Sequence, residues 1–199
     1  MTSYPVVEIF PSVQGEGLLA GTPMTFVRFA GCNLRCSFCD TKRAWKGGRQ
    51  MTCRQIADAA ENTGLARVCL TGGEPFLRHL APLVAALKEK GLWVTAETNG
   101  TVWQNLSLDW LTVSPKEQAR EMFACGFDER FRSVAREFKY VIAGRKDFGF
   151  VDRTIAAPVV LQPADNDRDI ARMIVRFLLR EGKDNWRLGL QAHKLLGVR

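Results

Sequence analysis

Seven short runs rich in apolar and β-branched residues recur along the chain, at 24–29, 67–70, 93–96, 110–113, 138–142, 159–161 and 186–190. This recurrence limits the fold more than any other feature. Helical patterns fall between several of the runs. Thr52, followed three residues on by Gln55, is a capping-box signature opening a helix to about position 62, just ahead of Gly64. The segment 79–90 places Leu80, Leu83, Val84 and Leu87 on one face and stops at Gly91. A third helix is expected over 168–180, with Ile170, Met173, Ile174, Phe177 and Leu178 inward and Gly182 beyond its end. Parallel neighbours need a crossover, so this order predicts an α/β fold: a mostly parallel sheet with helices on its outer face.

In such folds chemistry gathers beyond the carboxyl ends of the strands. The polar motifs of this chain fall there: 31–41 after the first run, 71–75 after the second, 98–100 after the third and 114–116 after the fourth. At 199 residues, 46% hydrophobic and 25% charged, the chain is expected to form one domain spanning 1–199. No apolar run approaches the roughly 18 residues of a membrane span, and the first residues lack a signal-peptide pattern, so a cytoplasmic protein without membrane partners is expected.

Lysine and arginine number 28 against 21 acidic residues, a formal charge of +7. Such a surface attracts phosphate or carboxylate groups. The basic residues are scattered, among them Lys42, Arg43, Lys46, Arg49, Arg130, Arg132 and Lys139, without an aromatic-studded stripe. An anionic small substrate accounts for the sign as well as a nucleic acid does.

Six cysteines stand at 32, 36, 39, 53, 69 and 125. In a reducing compartment a tight trio is more often a metal or cofactor site than a disulfide framework. Cys69 sits in an apolar run and reads as core, and Cys53 and Cys125 have no ligand-spaced neighbour. Cys32, Cys36 and Cys39 form C-x3-C-x2-C, one ligand short of a closed site. Three thiolates on one loop can hold three corners of a [4Fe-4S] cubane and leave the fourth iron open to an external chelator. The alternatives are a zinc site completed by His79, His193, Cys53 or Cys69, and a ferredoxin, which normally supplies four cysteines per cluster.

The trio, with Phe38 just before its last cysteine, resembles the hallmark of the radical S-adenosylmethionine (SAM) superfamily. Thr71-Gly72-Gly73-Glu74-Pro75 resembles that superfamily's segment for the methionyl amino group, where two glycines admit a ligand and Glu74 offers a carboxylate. The resemblance implies that SAM binds the open iron and is split reductively. The deoxyadenosyl radical so formed would take a hydrogen from substrate, the protein supplying orientation and exclusion of side reactions.

Closer likeness starts at Glu8-Ile9-Phe10-Pro11-Ser12-Val13-Gln14-Gly15-Glu16-Gly17 and continues through Arg28, Glu97-Thr98-Asn99-Gly100, Ser114-Pro115-Lys116, Leu161-Gln162-Pro163 and Leu190-Gln191-Ala192-His193-Lys194. These segments are similar to the 7-carboxy-7-deazaguanine synthase family of the queuosine pathway. That family contracts 6-carboxy-5,6,7,8-tetrahydropterin and releases ammonia. A pterin presents an amide and an exocyclic amine on one edge, which Gln14, the main chain of Val13 and Gly15, and the Glu16 carboxylate can meet.

The likeness implies further substrate contacts from Arg28, Thr71, His193 and the terminal carboxylate of Arg199, and a Mg²⁺ ligand in Thr41. For SAM it implies Phe38, Cys39, Asp40, Gly73, Glu74, Glu97, Ser114, Pro115, Lys116, Gln162, Pro163, Ala164 and Asp165. It also implies a homodimer and a reductant protein such as flavodoxin or ferredoxin. Too few residues separate Glu97 from Trp110, or Ala143 from Val159, for full crossover helices, so a radical SAM partial (β/α) barrel with reduced or distorted crossovers is expected. A small activase generating a glycyl radical on a protein, and a metal-stabilised nucleic-acid-binding module, remain the competing readings.

Overall fold

A computed structural model of the chain describes residues 2–198. Its strands are β1 (Ser3–Val13), β2 (Pro23–Phe29), β3 (Arg49–Thr52), β4 (Arg67–Gly72), β5 (Trp93–Thr98), β6 (Trp110–Val113), β7 (Glu137–Ile142), β8 (Val159–Pro163) and β9 (Trp186–Leu188). All join one sheet in the order β3-β1-β2-β4-β5-β6-β7-β8-β9. From β2 to β9 every neighbouring pair is parallel, and these seven strands are the seven apolar runs. β1 is antiparallel to both β2 and β3. Neither β1 nor β3 is visible in the apolar pattern, because β1 carries Pro5 and Pro11, residues that argue against a paired strand.

The three expected helices are α1 (Cys53–Glu61), α2 (Ala81–Glu89) and α3 (Arg168–Glu181), and a short α4 (Ala192–Leu196) follows β9. Thr52 and Gln55 form the reciprocal cap of α1. Leu80, Leu83, Val84 and Leu87 are buried, as are Ile174 and Phe177 of α3.

Between β5 and β8 no α-helix covers the sheet, only loops and 3-10 turns. Aromatic side chains from those loops do the covering. Phe131 meets the Trp103 ring edge-on at 4.9 Å and Phe127 packs 4.9 Å from Phe138. Each buried ring contributes roughly 1.5–3 kcal/mol of burial energy, which offsets the missing helices.

Strand period sorts the side chains between two faces. Val27, Phe29, Val68, Leu70, Val94, Ala96, Leu111, Val113, Phe138, Tyr140, Val159 and Leu161 enter the main core on the outer side. Their alternates, Arg28, Thr71, Glu97, Thr112, Glu137, Lys139 and Gln162, turn to the opposite face. This inner side of the sheet carries the polar groups beside a small apolar cluster of Phe10, Met24, Phe26 and Cys69, and the site is built on it.

Candidate active site

The cysteine loop leaves β2 and is held by its own polar residues. Arg35 donates to the carbonyls of Cys32 (2.6 Å) and Leu34 (2.8 Å). Asn33 donates to Thr101 (2.8 Å) and accepts from Asn99 (3.0 Å). Leu34 and Cys36 are buried against Ala119, with Cys32 and Cys39 packed beside them. All three thiols are free and line one cavity of about 250 Å³. Burial pushes the Cys32 and Cys36 thiols up, opposed at Cys36 by the charge of Lys116.

None of Cys53, Cys69, Cys125 or His79 lines that cavity. Cys69 is fully buried, Cys53 donates weakly to the Tyr4 hydroxyl (3.7 Å) and Cys125 to the Phe127 carbonyl (2.9 Å). A tetrahedral zinc with bonds of about 2.3 Å would bring its sulfurs to about 3.8 Å of one another. Among the described residues, the group of metal-type ligand atoms lying within 4.8 Å of one another is Glu16, Asp40 and His193, without a sulfur. Three free thiols facing one cavity, with no fourth cysteine among the described residues lining it, fit a cluster with three protein corners.

The segment after β4 passes beside this loop. Gly73 N donates to Phe29 O (2.9 Å) and Glu74 N to Gly31 O (2.7 Å). Gly72 has φ +120 and faces the Phe29 main chain, a conformation and a closeness that favour glycine. Glu74 lines the cavity, but its carboxylate is 1% exposed and accepts from Thr98 Oγ1 (2.7 Å), Asn99 N (2.6 Å) and Phe76 N (3.0 Å). Burial pushes its carboxyl up against those bonds. The Glu74 carboxylate thus braces the Gly-Gly turn against the end of β5.

On the other flank lies the loop that follows β1. Gln14 Nε2 donates to Glu97 Oε1 (3.0 Å), and Thr71 Oγ1 donates to Glu97 Oε2 (3.1 Å). Glu97, implied as a SAM contact, therefore stands with the residues implied for substrate. Glu16 is ion-paired with Lys139 and accepts from Gln191 Nε2 (2.7 Å). Burial alone would raise the Glu16 carboxyl; Lys139, Gln191 and Gln162 reverse that and hold it at about 2. Arg28 is paired with Glu8 (2.8 Å) and reaches Thr41 Oγ1 (3.4 Å).

The tail closes the cavity. Ala192 N donates to Gly15 O (2.8 Å), and His193 packs so close to Gly15 that a β-carbon there would lie 2.0 Å from Nδ1. Gln191 bridges Glu16 and Asp40 (3.1 Å), while Lys194 reaches Asp40 (3.4 Å) and Asp165 (2.8 Å). Asp165 and Asn166 have φ of +54 and +56. The strain is held by Asn166, which exchanges hydrogen bonds with the Gln191 main chain at 2.7 and 2.8 Å. Thr41 Oγ1 donates to Asp40 Oδ1 (3.0 Å). Oxygen donors from Thr41, Asp40 and Glu16 suit a hard cation such as Mg²⁺.

The structure thus brings Val13, Gln14, Gly15, Glu16, Arg28, Phe38, Asp40, Thr41, Thr71, Gly73, Glu97, Ser114, Lys116, Gln162, Pro163, Ala164, Asp165 and His193 to the same cavity as the thiols. Pro115 is buried and does not line it: the β6 turn presents Ser114 and Lys116 instead. Arg199 lies outside the described residues. Lys116 donates to Ser114 Oγ (2.5 Å), and burial, with the charge of Lys139, pulls its ammonium down.

Sequence reasoning missed Lys139, Gln191, Lys194 and Asn99 as parts of the lining. For Lys139 a signal existed: it alternates with Phe138 and Tyr140, which places a charge on the inner face of a central strand.

Residues 26–174 match the Radical SAM superfamily. A 7-carboxy-7-deazaguanine synthase of Bacteroides thetaiotaomicron is 40% identical over 194 residues, covering 96% of this chain and 97% of the relative. One of Synechocystis sp. is 34% identical over 204 residues, covering 99% and 94%. The crystal structure of QueE from Escherichia coli has a TM-score of 0.80 at 26% identity, covering 96% of this chain and 95% of that one.

Proposed function

This chain belongs to the radical SAM superfamily and, within it, to the 7-carboxy-7-deazaguanine synthase family, and on that footing we infer its reaction and the roles of its residues. It is a carbon–nitrogen lyase that converts 6-carboxy-5,6,7,8-tetrahydropterin to 7-carboxy-7-deazaguanine with release of ammonia. The observation that carries this reading is the cavity itself: three thiols on one side, a polar sheet face on the other, and a loop and a tail closing over it. That closure suits a small polar heterocycle better than a protein chain awaiting a glycyl radical.

When bound, the cluster and SAM supply reductive generation of a hydrogen-abstracting radical, and Mg²⁺ supplies Lewis-acid polarisation. Cys32, Cys36 and Cys39 hold the cluster. Gly73, with its carbonyl and amide neighbours, receives the amino-acid end of SAM, and Glu74 holds that turn rigid. Phe38 and Asp40, Ser114 and Lys116, and Gln162 to Asp165 flank the rest of the cofactor. Gln14 and Glu16 meet the amide and guanidine edge of the pterin, with Thr71 and Glu97 beside them.

Arg28 and His193 reach toward the substrate carboxylate and ring, and the main-chain carboxylate of Arg199 is assigned to the same pocket. Thr41 holds Mg²⁺, assisted by Asp40. The work of these residues is orientation and exclusion of water around a short-lived species.

The chain acts as one unit, as a homodimer, reduced by a flavodoxin or ferredoxin. Exposed Leu179 on α3 and Leu195 and Leu196 on α4 are apolar surface that pairing would cover. Among the described residues no helix is long and apolar enough to cross a membrane. Anaerobically reconstituted protein given reductant, SAM, Mg²⁺ and the pterin is expected to form the deazaguanine acid and ammonia. Full cluster occupancy without product would defeat the assignment.

A further inference from the structure

β7 carries two buried charges on its inner face that none of the roles above uses, Glu137 at 2% and Lys139 at 5% exposure. Glu137 Oε1 accepts from Thr112 Oγ1 (2.8 Å) and Trp110 Nε1 (3.4 Å), and its Oε2 accepts from the main-chain N–H of Leu18 (2.7 Å). Gly17 lies against the same carboxylate. Its φ is +65, and a β-carbon there would sit 2.5 Å from Glu137 Oε1. Two residues along the strand, Lys139 pairs with Glu16 and stands 3.7 Å from Glu97 Oε1, the atom that also accepts from Gln14.

Alternate residues of the loop are thus tied to one strand, Leu18 through Glu137, Glu16 through Lys139, and Gln14 through Glu97 to the same ammonium. Stability alone does not call for this arrangement. A buried ion pair loses about as much in desolvation as it gains in attraction, and apolar side chains of similar volume often serve as well. What the two charges add, beyond the main-chain bonds of Gln14 to Thr22 and Gly21 and of Gly15 to Ala192, is side-chain placement: a glycine-bearing loop is fixed at three consecutive alternate positions.

We propose that Glu137 and Lys139 are positioning residues that clamp the loop 14–18 onto β7 and thereby set where Gln14 and Glu16 meet the substrate. The inference rests on the reading of those two side chains as pterin contacts. The clamp itself can be tested without substrate.

The experiment compares wild-type protein with Lys139→Met, Lys139→Arg and Gly17→Ala. Each is reconstituted and checked for iron content and melting temperature. Amide hydrogen exchange over residues 14–19 is expected to quicken about tenfold or more in Lys139→Met and in Gly17→Ala. With saturating SAM, the KM for the pterin is expected to rise about tenfold in both while kcat falls less than about threefold. Lys139→Arg, which keeps the charge, is expected to recover part of the loss. Combining Lys139→Met with Gly17→Ala should raise KM by clearly less than the product of the single effects, because both release one loop.

Unaltered exchange in the two folded variants would overturn the proposal. A fall in kcat at constant KM would also overturn it, by making Lys139 a participant in the chemistry. A wild-type enzyme that ignores the pterin, while exchange still responds to the substitutions, would fault the substrate assignment and leave the clamp supported.

Discussion

A β-carbon on Gly73 would lie 2.0 Å from the carbonyl oxygen of Gly31, so the turn after β4 and the start of the cysteine loop are in contact through bare backbone. The same oxygen accepts the Glu74 N–H at 2.7 Å, which leaves no room to yield. Gly73→Ala is therefore expected to push the two loops apart and to weaken SAM binding by about tenfold or more, with α1 to α3 intact. The change in the cluster's electron paramagnetic resonance spectrum on titrating SAM measures it, and an unaltered titration would contradict the geometry.

Replacement of Cys32, Cys36 or Cys39 by alanine is expected to abolish SAM cleavage, because each removes one of three corners. Cys53→Ala, Cys69→Ala and Cys125→Ala are expected to retain it. Cys69 is fully buried, so its loss should cost stability on the order of 1 kcal/mol through the vacated volume. Iron content and deoxyadenosine formation, read together, separate the two groups; a well-folded Cys125→Ala protein without activity would break the division.

The Glu16 carboxyl is held at about 2, below its ordinary 4.5, through Lys139, Gln191 and Gln162 acting against burial. A group with a depressed value in the folded state binds its proton more readily when unfolded. Its stabilisation is complete above the unfolded value and is lost as pH falls from about 4.5 toward about 2. Asp40, also depressed although burial and Glu16 oppose it, acts in the same direction through Lys194 and Thr41. Melting temperature should therefore fall on acidification, and Glu16→Gln should flatten that fall relative to wild type. Parallel curves for the two proteins would show that the pair contributes nothing in that window.

Removal of Mg²⁺ by chelation is expected to slow turnover of the pterin, and Thr41→Val to do so by roughly tenfold even with Mg²⁺ present. Thr41→Ser, which keeps the hydroxyl, should stay close to wild type. Equal rates for valine and serine at limiting Mg²⁺ would remove Thr41 from the metal site.

The seven parallel strands and three main helices were legible because their apolar spacing repeats, and the motif residues were legible because they cluster where those strands end. β1 was not, since its two prolines mask a strand whose pairing partners lie on both sides. The tail was legible only as a motif, and its contacts with Gly15 and Asp40 depend on a long-range approach that no local pattern encodes. Glu74 was legible as a carboxylate beside the Gly-Gly turn, but sequence cannot say that Thr98, Asn99 and Phe76 donate to it. Lys139 was counted as one scattered positive charge. Its alternation with Phe138 and Tyr140 pointed inward, but a formal charge total carries no direction.

Gln191 reaches Glu16 across 175 positions of chain, whereas the three thiols fall within the first fifth of the sequence. During synthesis the thiols leave the ribosome long before the closing segment exists. Until then Glu16 and Asp40 lack the amide that bridges them. The polar wall of the cavity is therefore completed last, and a chain truncated before Gln191 should keep its thiol loop while losing the substrate side of the site.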